Sequence, residues 1–270
     1  MKIFNGKKAA EKILLDLERK IKKEKRKPIL SVISVNSDQA SDLFIKNKKK
    51  AAKKVGIKIN HYRFKKSVKE ERIIKKIKDL NRSFSVNGII VQLPLPKGFN
   101  TGKIINEINP QKDVDGFHKE TYFSSPLISA ILIALKDSTK NLKSKKIIAL
   151  VNSDIFGRAL KNFFQKKKIK INYLLRRKFS KSKIKTADII ITVCGVPGLI
   201  KGKIIKKGAV LIDGGITVLK NKKVVGDVDR KSVENKAAFL TPVPGGIGPL
   251  TVAFLLKNVY LATKKYGKYS

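Results

Sequence analysis

Asn87–Pro96, NGIIVQLPLP, joins an apolar run to a glutamine and two prolines. Gly88–Val91 has the length and character of a buried strand. Pro94 and Pro96 end it, because proline has no amide hydrogen to give to a ladder. The segments before it alternate in type. Lys8–Lys25 carries Ala9, Ile13, Leu14, Leu17 and Ile21 at helical spacing. Ile29–Val35 reads as a buried strand. Asp38–Val55 reads as a helix, with Ser37 or Asp38 as its N-cap and Gly56 just past its end. Ile57–Phe64 reads as a strand and Val68–Leu80 as a helix. This β-α-β-α-β order predicts a parallel sheet with helices on both faces.

The pattern restarts after Asp115. Leu127–Leu135 is apolar all round and fits a buried helix. Lys146–Val151 reads as a strand, Ile155–Gln165 as a helix and Ile169–Leu174 as a strand. Asp188–Val193 and Ala209–Ile212 are further short strands with Gly or Asp close after their ends, where α/β proteins place ligands. Gly248–Tyr266 is a long closing helix. The expected class is α/β in two domains, each a mainly parallel sheet with flanking helices.

The chain has 270 residues and 42% hydrophobic composition, enough for about two domains and a real core. Its 62 Lys+Arg against 20 Asp+Glu give a formal charge of +42. The lysines run along the whole chain rather than clustering, and the aromatics sit in apolar runs rather than between basic residues. A specific nucleic-acid footprint is therefore not expected, whereas weak, salt-sensitive association with polyanions is. Cys194 is the single cysteine, which excludes an intrachain disulfide and permits a cytoplasmic setting. His61 and His118 form no cluster of metal-ligand spacing, so no metal is expected. The N-terminus lacks the apolar core of a secretion signal, and no apolar run reaches membrane-span length.

Several residues suit chemistry. On the predicted helix Lys48 stands one turn beyond Phe44. A lysine works as an acid/base when burial or nearby positive charge lowers its pKa, and Lys46, Lys49 and Lys50 offer such charge. The bland alternative is a solvated surface lysine. Gln92 is either a satisfied core amide or a site residue, and Asp115 in DVDGFH either a turn aspartate or a ligand group. Arg176 and Arg177, after the strand ending near Leu174, are either an ordinary basic loop or a device for a 2′-phosphate. Cys194 reads as a small buried residue, since no base accompanies it.

Ala40–Ala51, ASDLFIKNKKKA, is similar to the segment A-S-x-x-Y-x-x-x-K-x-K-A of the bifunctional methylenetetrahydrofolate dehydrogenase/cyclohydrolases. VQLPLP, DVDGFH, IDGGI (Ile212–Ile216), VVGDV (Val224–Val228) and TPVPGGIGPLT (Thr241–Thr251) resemble the same family, over about Pro28–Tyr266. The resemblance implies a folate-binding catalytic domain of residues 1–117 plus 250–270. It implies a Rossmann-like NAD(P)-binding domain of residues 118–249. The family's acid/base lysine falls on Lys48, its orienting amide on Gln92 and its pterin-binding carboxylate on Asp115. Phe44, Pro244, Gly245 and Gly246 fall on substrate-binding positions. The family tyrosine is replaced by Phe44, which cannot hydrogen-bond.

ALVNSDIFGR (Ala149–Arg158) stands where the family has a strand and G-R-S-x-x-V-G. Ser153, Gly157 and Arg158 match, while Val151 and Asn152 replace the first Gly and the Arg. The implied cofactor residues are Asn152, Ser153, Gly157, Arg158, Arg176, Arg177, Gly195 and Ile216. The implied cofactor is NADP, with NAD as the alternative. The implied substrate is a tetrahydrofolate one-carbon derivative, oxidised and then hydrolysed, by a homodimer in the cytoplasm. The loop after His118 is shorter than the family's. Two other readings stay open: a dehydrogenase with impaired cyclohydrolase activity, because of Phe44, and a non-enzymatic polyanion-binding protein, because of the charge. A dinucleotide dehydrogenase outside folate metabolism is disfavoured by VQLPLP and TPVPGG.

Overall fold

The computed structural model describes residues 1–36 and 39–266. The chain runs β1 (Lys2–Ile3), α1 (Gly6–Lys22), β2 (Ile29–Val35), α2 (Gln39–Val55), β3 (Lys58–Phe64), α3 (Glu70–Arg82), β4 (Gly88–Val91), α4 (Thr101–Asn106) and α5 (Pro126–Ser138). It continues through β5 (Ile147–Val151), α6 (Asp154–Gln165), β6 (Ile171–Leu175), α7 (Lys181–Lys185), β7 (Ile189–Val193) and β8 (Ala209–Asp213). The last elements are β9 (Thr217–Val218), β10 (Val224–Val225), α8 (Arg230–Val233), β11 (Ala237–Leu240) and α9 (Ile247–Tyr266). The expected cap of α2, Ser37 or Asp38, lies outside the described residues. Two compact units result: Ala10–Pro126 with Val252–Ser270, and Met1–Ala9 with Leu127–Thr251.

In the first unit β3, β2 and β4 lie side by side, all parallel, with Ile33 opposite both Tyr62 and Val91. Strand alternation sends Leu30, Val32 and Ile90 to one face. There they pack with Leu17 and Ile21 of α1, Ile45, Ala52 and Val55 of α2, and Val252, Leu255, Leu256 and Val259 of α9. Ile33, Val35, Ile89 and Val91 face the other way, onto Ile73, Ile77 and Leu80 of α3 and Ile104 of α4. A sheet buried on both faces explains why its strands read as apolar runs.

The second unit is a parallel sheet in the order β1-β11-β8-β7-β5-β6. From β6 to β11 this is a doubly wound order, and the winding reverses between β5 and β7. The antiparallel pair β9–β10 stands apart from it.

Two boundaries differ from the expected ones. Residues 1–117 do not stay together, because β1 pairs with β11 (Lys2 opposite Phe239) and the Phe4 N–H donates to Leu240 O at 3.0 Å. Residues 118–126 stay with the first unit. Asn258 Nδ2 of α9 donates to Val114 O (2.9 Å) and Ser124 O (3.0 Å), which ties this stretch to the closing helix. The sequence reading missed β11 because AAFL is short and its alanines are weak strand formers. Pairing with β8 on one side and β1 on the other makes it a strand.

Gly157 lets α6 lie close on β6. A Cβ there would sit 2.5 Å from the Tyr173 ring, whose hydroxyl is anchored to Asp154 Oδ1 at 2.7 Å. Gly157→Ala is therefore expected to cost about 1–3 kcal/mol by overpacking, read as a lower urea midpoint at unchanged slope.

Candidate active site

Ile45, Lys48, Ala52 and Val55 recur at helical spacing, so α2 delivers Lys48 into its own apolar stripe. The residue is only 7% exposed, while Lys46, Lys49 and Lys50 face solvent. Its amine donates to Gln92 Oε1 at 2.8 Å. Gln92 is held on both sides: its backbone N–H donates to Ile33 O (2.8 Å) and its Nε2 to Leu93 O (2.8 Å). The amide oxygen is thereby left to face Lys48.

Burial lowers the Lys48 pKa, and the Asp115 charge opposes that shift. The three neighbouring lysines, to which the sequence reading gave this effect, are not its source; they stand in water, where their fields are weak. Asp115 is pushed up to about 6, chiefly by burial; Lys48 pulls it back and Asp113 pushes it further. An amine moved down and a carboxyl moved up narrow the gap between the two, so a proton shifts between them at lower cost. Asp113 shapes the bend that presents Asp115. Its carboxylate accepts the Gly116 N–H (3.2 Å) and the His118 N–H (2.8 Å). Phe44, half-buried on α2 one turn before Lys48, brings no hydrogen-bonding group to the site.

The second unit holds the remaining expected residues. At the C-terminal ends of β5 and β7, where the winding reverses, Asn152 Nδ2 donates to Cys194 O. Ser153 caps α6, its Oγ accepting the Phe156 N–H at 3.4 Å. Arg158 is 73% exposed and pairs with Asp154 (2.7 Å). Arg176 and Arg177 lie exposed on the turn after β6. Gly195, at φ +65°, lies beside Ile216: a Cβ on it would be 3.6 Å from the Ile216 carbonyl oxygen. Pro244, Gly245 and Gly246 form the turn before α9, closed by Gly246 N–H to Pro242 O (2.7 Å). Burial pushes the Cys194 thiol up to about 12, so it is inert at neutral pH.

Sequence reasoning missed the two aspartates that build these loops. Asp213 accepts the N–H groups of Gly215 (3.0 Å), Asp227 (3.1 Å) and Val228 (2.9 Å). Asp227 accepts Thr192 Oγ1 and the N–H groups of Cys194 and Val196, each at 2.7 Å. Both are buried, and burial first, then the Asp227 charge, pushes Asp213 up to about 7. The signal was present in IDGGI and VVGDV. A Cβ on Gly215 would fall into the Asp227 carboxylate, and one on Gly226 into that of Asp213.

Residues 4–115 match the family model of the tetrahydrofolate dehydrogenase/cyclohydrolase catalytic domain, and residues 126–267 that of the family's NAD(P)-binding domain. The chain belongs to the tetrahydrofolate dehydrogenase/cyclohydrolase family. A bifunctional protein FolD of Hydrogenobaculum sp. is 40% identical over 98% of this chain and 99% of its own. The crystal structure of the Campylobacter jejuni bifunctional enzyme FolD superposes with a TM-score of 0.87 at 32% identity, covering 98% of this chain and 99% of that one. The Trypanosoma brucei methylenetetrahydrofolate dehydrogenase-cyclohydrolase, complexed with NADP cofactor and an inhibitor, superposes with a TM-score of 0.89 at 27% identity over 98% of each chain. Membership of the tetrahydrofolate dehydrogenase/cyclohydrolase family makes the polyanion-binding alternative unnecessary. Among the described residues no His/Cys/Asp/Glu group suits a metal ion, and no helix is long and apolar enough to cross a membrane.

The Asp115 charge holds the Lys48 pKa up against burial. Asp115→Asn is therefore expected to lower the Lys48 titration midpoint further, followed by the NMR shift of its Cε with pH; an unmoved midpoint would show the two groups uncoupled.

Proposed function

We propose that this protein oxidises 5,10-methylenetetrahydrofolate to the 5,10-methenyl form with NADP⁺ and hydrolyses that product to 10-formyltetrahydrofolate. The observation that carries this reading is the buried Lys48 amine, held by Gln92 and opposed by Asp115, in a chain of this family. Lys48 manages the protons of hydrolysis, giving and taking them as water adds and the ring opens. Its lowered pKa eases release of the proton it carries. Gln92 aims the amine. Asp115 accepts the paired N–H donors of the pterin, which a carboxylate matches with two oxygens. Phe44 packs without a hydroxyl, so positioning falls to Gln92 and Asp115.

The second unit suits a dinucleotide. The winding reverses between β5 and β7, the N-terminus of α6 opens beside that point, and Gly157 allows the close helix–strand packing such sites need. A dinucleotide held there would supply the acceptor for the hydride leaving the substrate's methylene carbon. Arg176 and Arg177, free in water after β6, take the 2′-phosphate that distinguishes NADP from NAD. Asn152 braces the Cys194 loop, and Gly195 with Ile216 lines the nicotinamide side. The proposal includes Pro244–Gly246 as a folate contact, a homodimeric state and a cytoplasmic setting, all supported by the family resemblance.

Lys48→Ala is expected to lower methenyl hydrolysis by about 10²–10⁴-fold with far-UV circular dichroism unchanged; full hydrolysis in that variant would remove Lys48 from the mechanism. Folate affinity carries its own pH signature. Asp115 has a pKa of about 6 and binds donors as a carboxylate, so KM for methylenetetrahydrofolate should rise as pH falls through that value. A KM flat from pH 7.5 to 5 would leave Asp115 without this role.

A further inference from the structure

Two side chains on the sheet face that α2 covers have no part in the proposed chemistry. Ser34 on β2 and His61 on β3 meet, Oγ to Nε2, at 2.8 Å. Strand alternation puts both on the α2 face, Ser34 following Leu30 and Val32 and His61 following Ile59. Gln92 follows Ile90 on that same face, one strand away on the other side of β2, and its backbone N–H is bonded to the residue just before Ser34. His61, Ser34 and Gln92 thus form a polar row across three adjacent strands, where the apolar face ends. The Lys48 amine of α2 docks on the Gln92 end of that row. Ser34 is 1% exposed, a depth at which a hydroxyl requires a partner, and His61 supplies it.

We propose that His61, fixed by Ser34, is a positioning residue for the hydrolytic step: neutral, it leaves the Lys48 amine to Gln92 and Asp115, and protonated, it sets a second cation against that amine. The proposal rests on the reading that Lys48 moves the protons of hydrolysis. The charges facing His61 are Lys49, Lys48 and Asp42 from α2 and Arg63 from its own strand, and Arg63 pairs with Asp42 at 3.1 Å. Burial, then Lys49, Arg63 and Lys48, hold the His61 pKa below its ordinary value against the opposing pull of Asp42. His61 is therefore neutral at neutral pH and takes its proton only in acid. By linkage, whatever Lys48 does to the His61 equilibrium, His61 does to that of Lys48.

Two measurements on the full-length enzyme test this. In the first, the His61 Cε1–H resonance is titrated against pH. Lys48→Met should move the His61 midpoint upward by about 0.5 pH, and Lys46→Met, on the exposed side of α2, should not. In the second, kcat for methenyl hydrolysis is followed against pH, where substrate already occupies Asp115. His61→Gln, which cannot take that proton, should displace the acid limb, and Ser34→Ala should displace it too. A His61→Gln profile that overlays the wild type, or a His61 midpoint unmoved by Lys48→Met, overturns the proposal. A wild type without methenyl hydrolysis sinks the functional reading instead, and the NMR arm then decides on the coupling alone.

Discussion

A primary amine set in the apolar stripe of a helix is the constraint on which the catalytic unit turns. Lys48 occupies a position that Ile45, Ala52 and Val55 mark as core. An ammonium there loses its water, and a carboxylate facing it loses water as well. Neither group escapes by moving out, because Gln92 holds the amine and the Asp113 bend holds Asp115. The cost appears as shifted pKa values, the amine lowered and the carboxyl raised to about 6. Two groups that both resist their charged forms, fixed on rigid elements, make a site where a proton is easily given and taken.

The cofactor unit reaches rigidity by a different route. Its loop after β5 lacks the first glycine of the family segment it resembles, and the weight of organisation falls on two buried carboxylates. Asp213 and Asp227 gather backbone donors from the ends of β7 and β8 and from the GDV turn, and Thr241 Oγ1 receives the Asp213 N–H at 2.7 Å. A loop whose N–H groups are already committed to a buried carboxylate has a fixed shape before any ligand arrives. That is the pre-organisation a binding loop needs.

Much of this was legible in the residues. The strands β2 and β4 and the helices α2, α6 and α9 fell close to their expected bounds, because buried parallel strands and amphipathic helices write their periods plainly. Lys48, Gln92 and Asp115 were readable as candidates, and the spacing of Lys48 with Ile45 and Ala52 already implied burial. That spacing was obscured by the lysines around it, which invited an explanation from charge. β1 and β11 were illegible because two- and four-residue strands exist only through pairing between distant segments. The aspartate pair was hidden for a related reason: Asp213 and Asp227 look like turn residues until the glycines opposite them are seen to make room for a carboxylate.

The high positive charge takes on a different meaning once the acids are placed. Ion pairs such as Lys20–Asp16 and Lys22–Glu18 are exposed and contribute little to stability. Several acids also accept backbone N–H groups: Asp113 in the DVDGFH bend, Asp188 from Lys146 at 2.7 Å beside its ion pair with Lys206, Glu70 from Asn100 at 2.8 Å beside its ion pair with Lys103, and the Asp213–Asp227 pair. A chain with 20 acidic and 62 basic residues therefore keeps carboxylates where a lysine would leave donors facing donors. Elsewhere a lysine needs only water. The excess charge is thus a property of solvated faces, and the fold and its chemistry are set by a small number of buried polar groups held largely by backbone N–H groups.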